Sequence, residues 1–144
     1  MIKKVGWLLV IIQFYCIGYF LYQFERERMT VASGLLMAGG MLVGGWSIYA
    51  MRKSRLRILP DPASNAVLIT NGPYRIIRHP MYTAVLLFCA GMVNWKHTAD
   101  MILFTLLLIT LLVKLTYEER MLNARFGGYK EYTKHSYRLL PYIF

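Results

Sequence analysis

The stretch TNGPYRIIRHPMYTAVLL, residues 70–87, places two arginines and a histidine directly before an uncharged apolar run. Charged side chains next to an apolar run cost free energy if they enter the membrane, because an arginine at the centre of a membrane helix costs about 2.5–3.5 kcal/mol. Pro80 suits the first position of a helix and biases the residue before it away from helical geometry. The stretch therefore predicts a membrane helix that begins at Pro80, with His79 as its N-cap residue.

Further apolar segments lie on both sides of this stretch, in a chain of 144 residues that is 57% hydrophobic and 17% charged. Residues 5–24 and 31–51 carry no charge, and each can cross a hydrocarbon layer of about 30 Å. Residues 80–96 and 98–117 are expected to be the third and fourth spans, with Asp100 and Lys114 snorkelling near the ends of the fourth. The prediction is an all-α integral membrane protein with four transmembrane helices, forming a single membrane domain over residues 1–144 with a tail at 118–144.

Basic residues are concentrated on one side of these spans. They lie between the second and third spans and after the fourth, whereas the opposite side carries only Arg26, Arg28 and Lys96. The positive-inside rule then places both termini and the long loop 52–79 in the cytoplasm of a bacterial inner membrane or an ER-like membrane. Topology and anionic membrane lipids explain the net charge of +10, so no nucleic acid is expected as a partner.

Small residues in the second span indicate close helix packing. Gly40 and Gly44 form a GxxxG pattern, which lets two helix backbones approach each other in lipid. The pattern leaves open whether the packing is within one chain or joins two copies as a homo-oligomer. Cys16 and Cys89 lie within spans and outside any metal-ligand spacing, so they are expected to be buried small hydrophobic residues.

The start of the third span is a candidate anion site. A helix opens there with free N–H groups and a partial positive charge, and Arg75 and Arg78 lie alongside. The alternative is that these arginines contact only lipid headgroups. The residues by themselves leave these two interpretations equally open.

Two adjacent carboxylates, Glu118 and Glu119, stand at the end of the fourth span, where a helix normally favours cations. The pair suggests that a cation is received there. A cation site and an anion site on one face suit a zwitterion with an amino acid moiety, such as S-adenosylmethionine. A metal is the rival, but two glutamates with one nearby histidine form no recognisable ligand spacing.

Two segments carry a resemblance to a known family. NGPYRIIRHPMYTA (71–84) and EERMLNARFGGYKEYTKHSYRLLPYIF (118–144) resemble the isoprenylcysteine carboxyl methyltransferase family and, more loosely, the phospholipid N-methyltransferases of the same membrane superfamily. The resemblance implies an enzyme that uses S-adenosylmethionine in a pocket closed by the C-terminal helical segment. It also implies a lipophilic substrate from the bilayer, either the carboxylate of a prenylated cysteine-like molecule or a lipid amine.

The resemblance also implies roles for individual residues. The implied cofactor-binding residues are Tyr74, Arg78, His79, Tyr82, Glu118, Glu119 and Tyr132. A carboxylate acceptor would need an arginine to position it, either Arg75 or Arg138. An amine acceptor would need a group that takes up its proton, a role open to either Glu118 or Glu119, with Glu119 preferred.

Two other functions stay open at this point. The ending YRLLPYIF, residues 137–144, also looks like the tail of membrane sterol reductases, which share the RHPxY motif and bind a nicotinamide dinucleotide. A membrane reductase is therefore the second hypothesis, and a non-catalytic lipid-binding scaffold is the third.

Overall fold

A computed structural model describes residues 2–24, 29–53 and 68–142. The described chain is helical and contains no strand beyond a single β-bridge between Ile77 and Tyr137, which confirms the predicted all-α class. Residues 54–67, half of the long loop 52–79, lie outside the described residues. The helices are α1 (Ile2–Tyr22), α2 (Val31–Ala50), α3 (Pro80–Met92), α4 (Thr98–Arg125) and α5 (Tyr129–Lys134), with 3₁₀ turns at Met51–Lys53 and Gly72–Arg75.

Three of the described helices are long and apolar enough to cross a membrane, over Val5–Tyr22, Val31–Ala50 and Thr98–Arg125. The 13 residues of α3 cover about 20 Å, which is less than the hydrocarbon thickness of about 30 Å. The expected helix over 80–96 is therefore too long. It ends at Met92 because Val93 takes an extended conformation and the Asn94 N–H donates to Asp100 Oδ2 at 3.0 Å.

The short helix α3 nevertheless lies along most of α2. A Cβ atom at Gly40 would come within 2.7 Å of Ala84 O, and one at Gly91 would come within 2.6 Å of Ser33 O. The start of α3 thus packs near the middle of α2, and its end reaches the first turn of α2. Gly44 also faces Ala84, so the GxxxG surface is covered within one chain, and a homo-oligomer through it stays an untested prediction.

Polar side chains join α1 to α4 at two levels. Tyr19 Oη donates to Asp100 Oδ1 at 3.1 Å, and Lys114 Nζ donates to Gln13 Oε1 at 2.6 Å. The expectation that Lys114 snorkels to the interface is therefore wrong, because its side chain is buried between helices, whereas Asp100 is buried in the first turn of α4, at the end of the span. Between these levels the core is apolar and contains both cysteines, as expected.

Helix α4 continues past Tyr117, where the fourth span was expected to end, and stops at Arg125. Glu118 and Glu119 accordingly lie inside a continuous helix, about two turns before its end. This rigid extension carries the two carboxylates to the start of α3. The chain then turns at Gly127 and Gly128 into α5 and the C-terminal segment.

Candidate functional site

The C-terminal segment is bonded to the residues that precede α3. Arg78 N–H donates to Tyr137 O at 2.7 Å, His79 N–H donates to Arg138 O at 3.1 Å, and Tyr137 N–H donates to Ile76 O at 2.8 Å. His79 is the N-cap residue, as predicted. The backbone N–H groups of Arg78 and His79 are thus occupied by the tail, which leaves recognition at this corner to side chains.

Arg78 connects the tail to α4. Its Nε donates to Glu119 Oε1 at 2.8 Å, and its Nη1 donates to Thr133 O at 3.2 Å and to both oxygen atoms of Ser136. The guanidinium lies inside the protein, so Arg78 does not serve as a headgroup contact. Arg75, in contrast, is exposed on the 3₁₀ turn and takes no part in these contacts.

The two carboxylates of α4 receive side chains from α3 and the tail. Glu119 Oε2 lies 3.1 Å from Arg138 Nε, on the opposite side of the carboxylate from Arg78. Glu118 Oε1 accepts a hydrogen bond from Tyr82 Oη at 2.5 Å. Together these two glutamates and the side chains that contact them form the carboxylate cluster, whose other members are Arg78, His79, Tyr82 and Arg138.

His79 lies between both carboxylates. Its Nδ1 is 3.4 Å from Glu118 Oε2, and its buried Nε2 is 3.6 Å from Glu119 Oε1, too far for a hydrogen bond. The ring stacks on Tyr82 with centroids 5.5 Å apart. Burial lowers the pKa of His79, but the charges and hydrogen-bonding capacity of Glu118 and Glu119 outweigh burial and raise this pKa above its ordinary value. The site therefore favours an imidazolium.

Three tyrosines lie beside the carboxylate cluster. Tyr132 Oη donates to Tyr74 O at 2.5 Å, which ties α5 to the 3₁₀ turn and places the two predicted tyrosines together. Tyr129 is buried with its hydroxyl left without a hydrogen-bond partner, and burial raises its pKa. Neither Tyr129 nor Ser136 was predicted, because nothing local to FGGYKEY marks a buried tyrosine and nothing local to HSY marks a contact with Arg78, 58 residues earlier.

The carboxylate cluster has free hydrogen-bonding positions for a ligand that carries both a positive and a negative charge. A carboxylate offers about four acceptor positions, and the contacts of Glu118 and Glu119 leave some of these for an ammonium group. His79 Nε2 and the Tyr129 hydroxyl are buried polar atoms that the fold leaves unpaired, a state that a bound polar group would relieve. These residues therefore fit a zwitterionic amino acid moiety.

A groove of about 430 Å³ lies between α3 and α4 beside the cluster. Its wall is apolar apart from Thr83, whose hydroxyl donates to Leu139 O at 2.7 Å. The volume falls within the range of small-molecule sites. The lining residues are Thr83, Leu86, Leu87, Ala90, Phe104, Leu108, Leu112, Leu139 and Leu140.

Comparison with known proteins gives a family match and two relatives. Residues 28–128 match the family described as phospholipid methyltransferase. The chain is 38% identical over 79 residues to the "Probable protein-S-isoprenylcysteine O-methyltransferase" of Oryza sativa subsp. indica and to that of subsp. japonica. The alignment covers 53% of this chain and 41% of each relative, so the chain spans about two fifths of the length of the curated relatives it matches.

Proposed function

The chain belongs to the phospholipid methyltransferase family, and on that premise we propose that it is an integral membrane enzyme that methylates a lipophilic acceptor with S-adenosylmethionine. The observation that supports this best is the meeting of Arg78, Arg138 and Glu119 from three separate segments. The same family match favours a methyltransferase over the reductase and the scaffold. We place both termini on the cytoplasmic side and count α3 as the third of four passes.

The carboxylate cluster would hold the amino acid part of the cofactor. Glu118 and Glu119 would receive its cationic groups, and Arg138, the more exposed arginine, would receive its carboxylate. His79 Nε2 is a further donor inside the site. Tyr74 and Tyr132 hold the 3₁₀ turn against α5, so they would shape the pocket around the cofactor.

When bound, S-adenosylmethionine supplies an electrophilic methyl group on a sulfonium sulfur. The chain itself must then align the acceptor and exclude water, and alignment alone can contribute about 7–11 kcal/mol. A carboxylate acceptor would have to share Arg138 with the cofactor carboxylate, because Arg75 lies outside the cluster. For an amine acceptor, Glu119 is already bound by two arginines, which leaves Glu118 as the more accessible carboxylate for the proton.

The apolar groove supports a lipophilic acceptor. Thr83 and Leu139 line it and are bonded to each other, and Leu139 directly follows Arg138, so a hydrocarbon chain lying in the groove would place its polar end towards the carboxylate cluster. Two acceptor classes fit this arrangement, a lipid carboxylate and a lipid amine. They differ in the stability of their products, since a methyl ester is cleaved by mild alkali and an N-methyl amine is not.

The deciding experiment is a calorimetric titration of the purified protein in detergent. We expect saturable binding of S-adenosylmethionine and none of reduced nicotinamide dinucleotide phosphate; binding of only the second would overturn the proposal in favour of a reductase. Arg138→Gln should weaken S-adenosylmethionine binding by at most about 1 kcal/mol, because the arginine is 40% exposed and its charge is partly screened by water. Arg75→Gln is the matched control and should leave the affinity unchanged.

The acceptor class follows from a transfer assay with radiolabelled S-adenosylmethionine. Label should enter the lipid-extractable fraction when membranes are supplied, and alkali treatment then separates esters from N-methyl amines. Label that stays in the aqueous fraction at every lipid composition tested would contradict a lipophilic acceptor.

A further inference from the structure

Lys114 is an ionisable residue buried inside the helix bundle, with 3% of its surface exposed. It belongs to α4, and its Nζ donates to Gln13 Oε1 of α1 at 2.6 Å. The same Nζ lies 5.2 Å from the ring centroid of Tyr82, in α3. Lys114 therefore touches two other helices. An ionisable side chain within a membrane bundle is costly, which makes it a candidate functional residue.

Helix packing alone does not account for this lysine. An ammonium group has three N–H donors, and the hydrogen bonds of the described residues provide one acceptor, Gln13. An apolar side chain of similar length would fill the space without the desolvation cost of a charge. The groups that the ammonium group contacts should therefore indicate the role of the charge.

That contact leads directly to the carboxylate cluster. The Tyr82 ring, which the ammonium group faces, stacks on His79 and donates its hydroxyl to Glu118. Glu118 follows Lys114 by one helical turn on α4, so the two side chains start from the same face. The ring of Tyr82 thus bridges the lysine and the glutamate.

We propose that Lys114 is a positioning residue of the carboxylate cluster, which holds the Tyr82 ring so that its hydroxyl stays on Glu118. A cation is attracted to the face of an aromatic ring, and more strongly where water is excluded. Gln13 fixes the ammonium group beneath the ring. This inference rests on the proposed function, because it assigns Glu118 to the cationic part of S-adenosylmethionine.

The test is a double-mutant cycle on the full chain in detergent. The measured quantity is the affinity for S-adenosylmethionine, determined by calorimetric titration. Lys114→Met removes the charge and Tyr82→Phe removes the hydroxyl. We expect each to weaken binding about five- to tenfold, the effect of one hydrogen bond. The double variant should be no weaker than the weaker single variant, because both changes break the same contact. Lys114→Arg keeps the cation and should restore the affinity to within about twofold.

A second measurement reads the Tyr82 hydroxyl without any ligand. The ultraviolet Raman difference between wild type and Tyr82→Phe reports whether this hydroxyl donates a hydrogen bond. We expect the difference spectrum between wild type and Tyr82→Phe to show a tyrosine hydroxyl that donates a hydrogen bond. The difference between Lys114→Met and the double variant Lys114→Met/Tyr82→Phe should not show it. An unchanged signature would overturn the inference, whether or not the protein binds S-adenosylmethionine.

The remaining outcomes separate the two proposals. Multiplying losses in the double variant, or normal affinity in Lys114→Met, would overturn the role of Lys114 and leave the methyltransferase proposal standing. Lowered resistance to unfolding with unchanged affinity would return Lys114 to helix packing. Wild-type protein that fails to bind S-adenosylmethionine while the Raman signature behaves as expected would overturn only the proposed function.

Discussion

Glu119→Gln keeps the shape of the side chain and removes the charge on which two arginines converge. The bond from Arg78 Nε is 2.8 Å long, with the arginine 10% and the glutamate 13% exposed, so it is shielded on both sides. Losing one such charge-assisted bond costs about 1.5–3 kcal/mol. Arg138 is 40% exposed and can rehydrate, so it adds at most about 1 kcal/mol. We expect the free energy of unfolding to fall by about 1.5–4 kcal/mol.

The assay is detergent-driven unfolding in mixed micelles, monitored by tryptophan fluorescence. A parallel titration measures the affinity of the Glu119→Gln variant for S-adenosylmethionine, which should be lower than that of the wild type. The matched control is Glu131→Gln on α5, since Glu131 forms an ion pair with Lys134 at 2.7 Å but both side chains are 66% exposed. This control should leave unfolding and binding unchanged. Glu118→Gln should cost less than Glu119→Gln, because Glu118 accepts from the neutral Tyr82 hydroxyl, whereas Glu119 carries the charge that faces two arginines. Equal losses in Glu119→Gln and Glu131→Gln would refute the argument from buried charge.

Three further predictions test other parts of the structure. The raised pKa of His79 gives a stabilisation that is complete below the ordinary imidazole value of about 6.5 and is lost as pH rises through the folded-state pKa. Unfolding measured across that interval should show this loss in wild type and not in His79→Gln. Gly40→Ala should destabilise the protein by about 1–3 kcal/mol, since its Cβ would meet the α3 backbone at 2.7 Å, whereas Gly39→Ala meets nothing within 4 Å and should be tolerated in the same unfolding assay. Cysteines introduced at Lys134 and Lys96 should react with impermeant reagents from the cytoplasmic and the opposite side, respectively, and labelling from the same side would contradict the four-pass topology.

The residues of the carboxylate cluster were predictable where neighbouring residues in the sequence determine their position. Pro80 fixes the start of α3, so the places of Arg78 and His79 follow from neighbouring residues. Two adjacent carboxylates directly after an apolar run are a local feature of the sequence, so Glu118 and Glu119 were predictable without their partners. The structure adds that these four residues lie in contact with one another.

The contacts of the tail could not be predicted in the same way. Arg78 bonds to Ser136 across 58 residues, and a sequence without a strand pattern gives no register for such a pairing. The burial of Lys114 was missed because a lysine near the end of an apolar run has the same local pattern whether it snorkels or turns inward. The inward orientation depends on Gln13, 101 residues away, and on the ring of Tyr82, which both receive the ammonium group.

The two arginines on Glu119 differ in a way that constrains how a ligand could enter. Arg78 is held by Glu119, Thr133 and Ser136 at once, and its backbone N–H is bonded to the tail. Moving it would release the C-terminal segment from α4. Arg138 lies 3.1 Å from Glu119, and its side chain is four times as exposed as that of Arg78. A zwitterion that places its ammonium group on Glu119 and its carboxylate on an arginine would therefore exchange partners with Arg138 and leave Arg78 in place, so the clamp on the tail and the ligand site can coexist on one carboxylate.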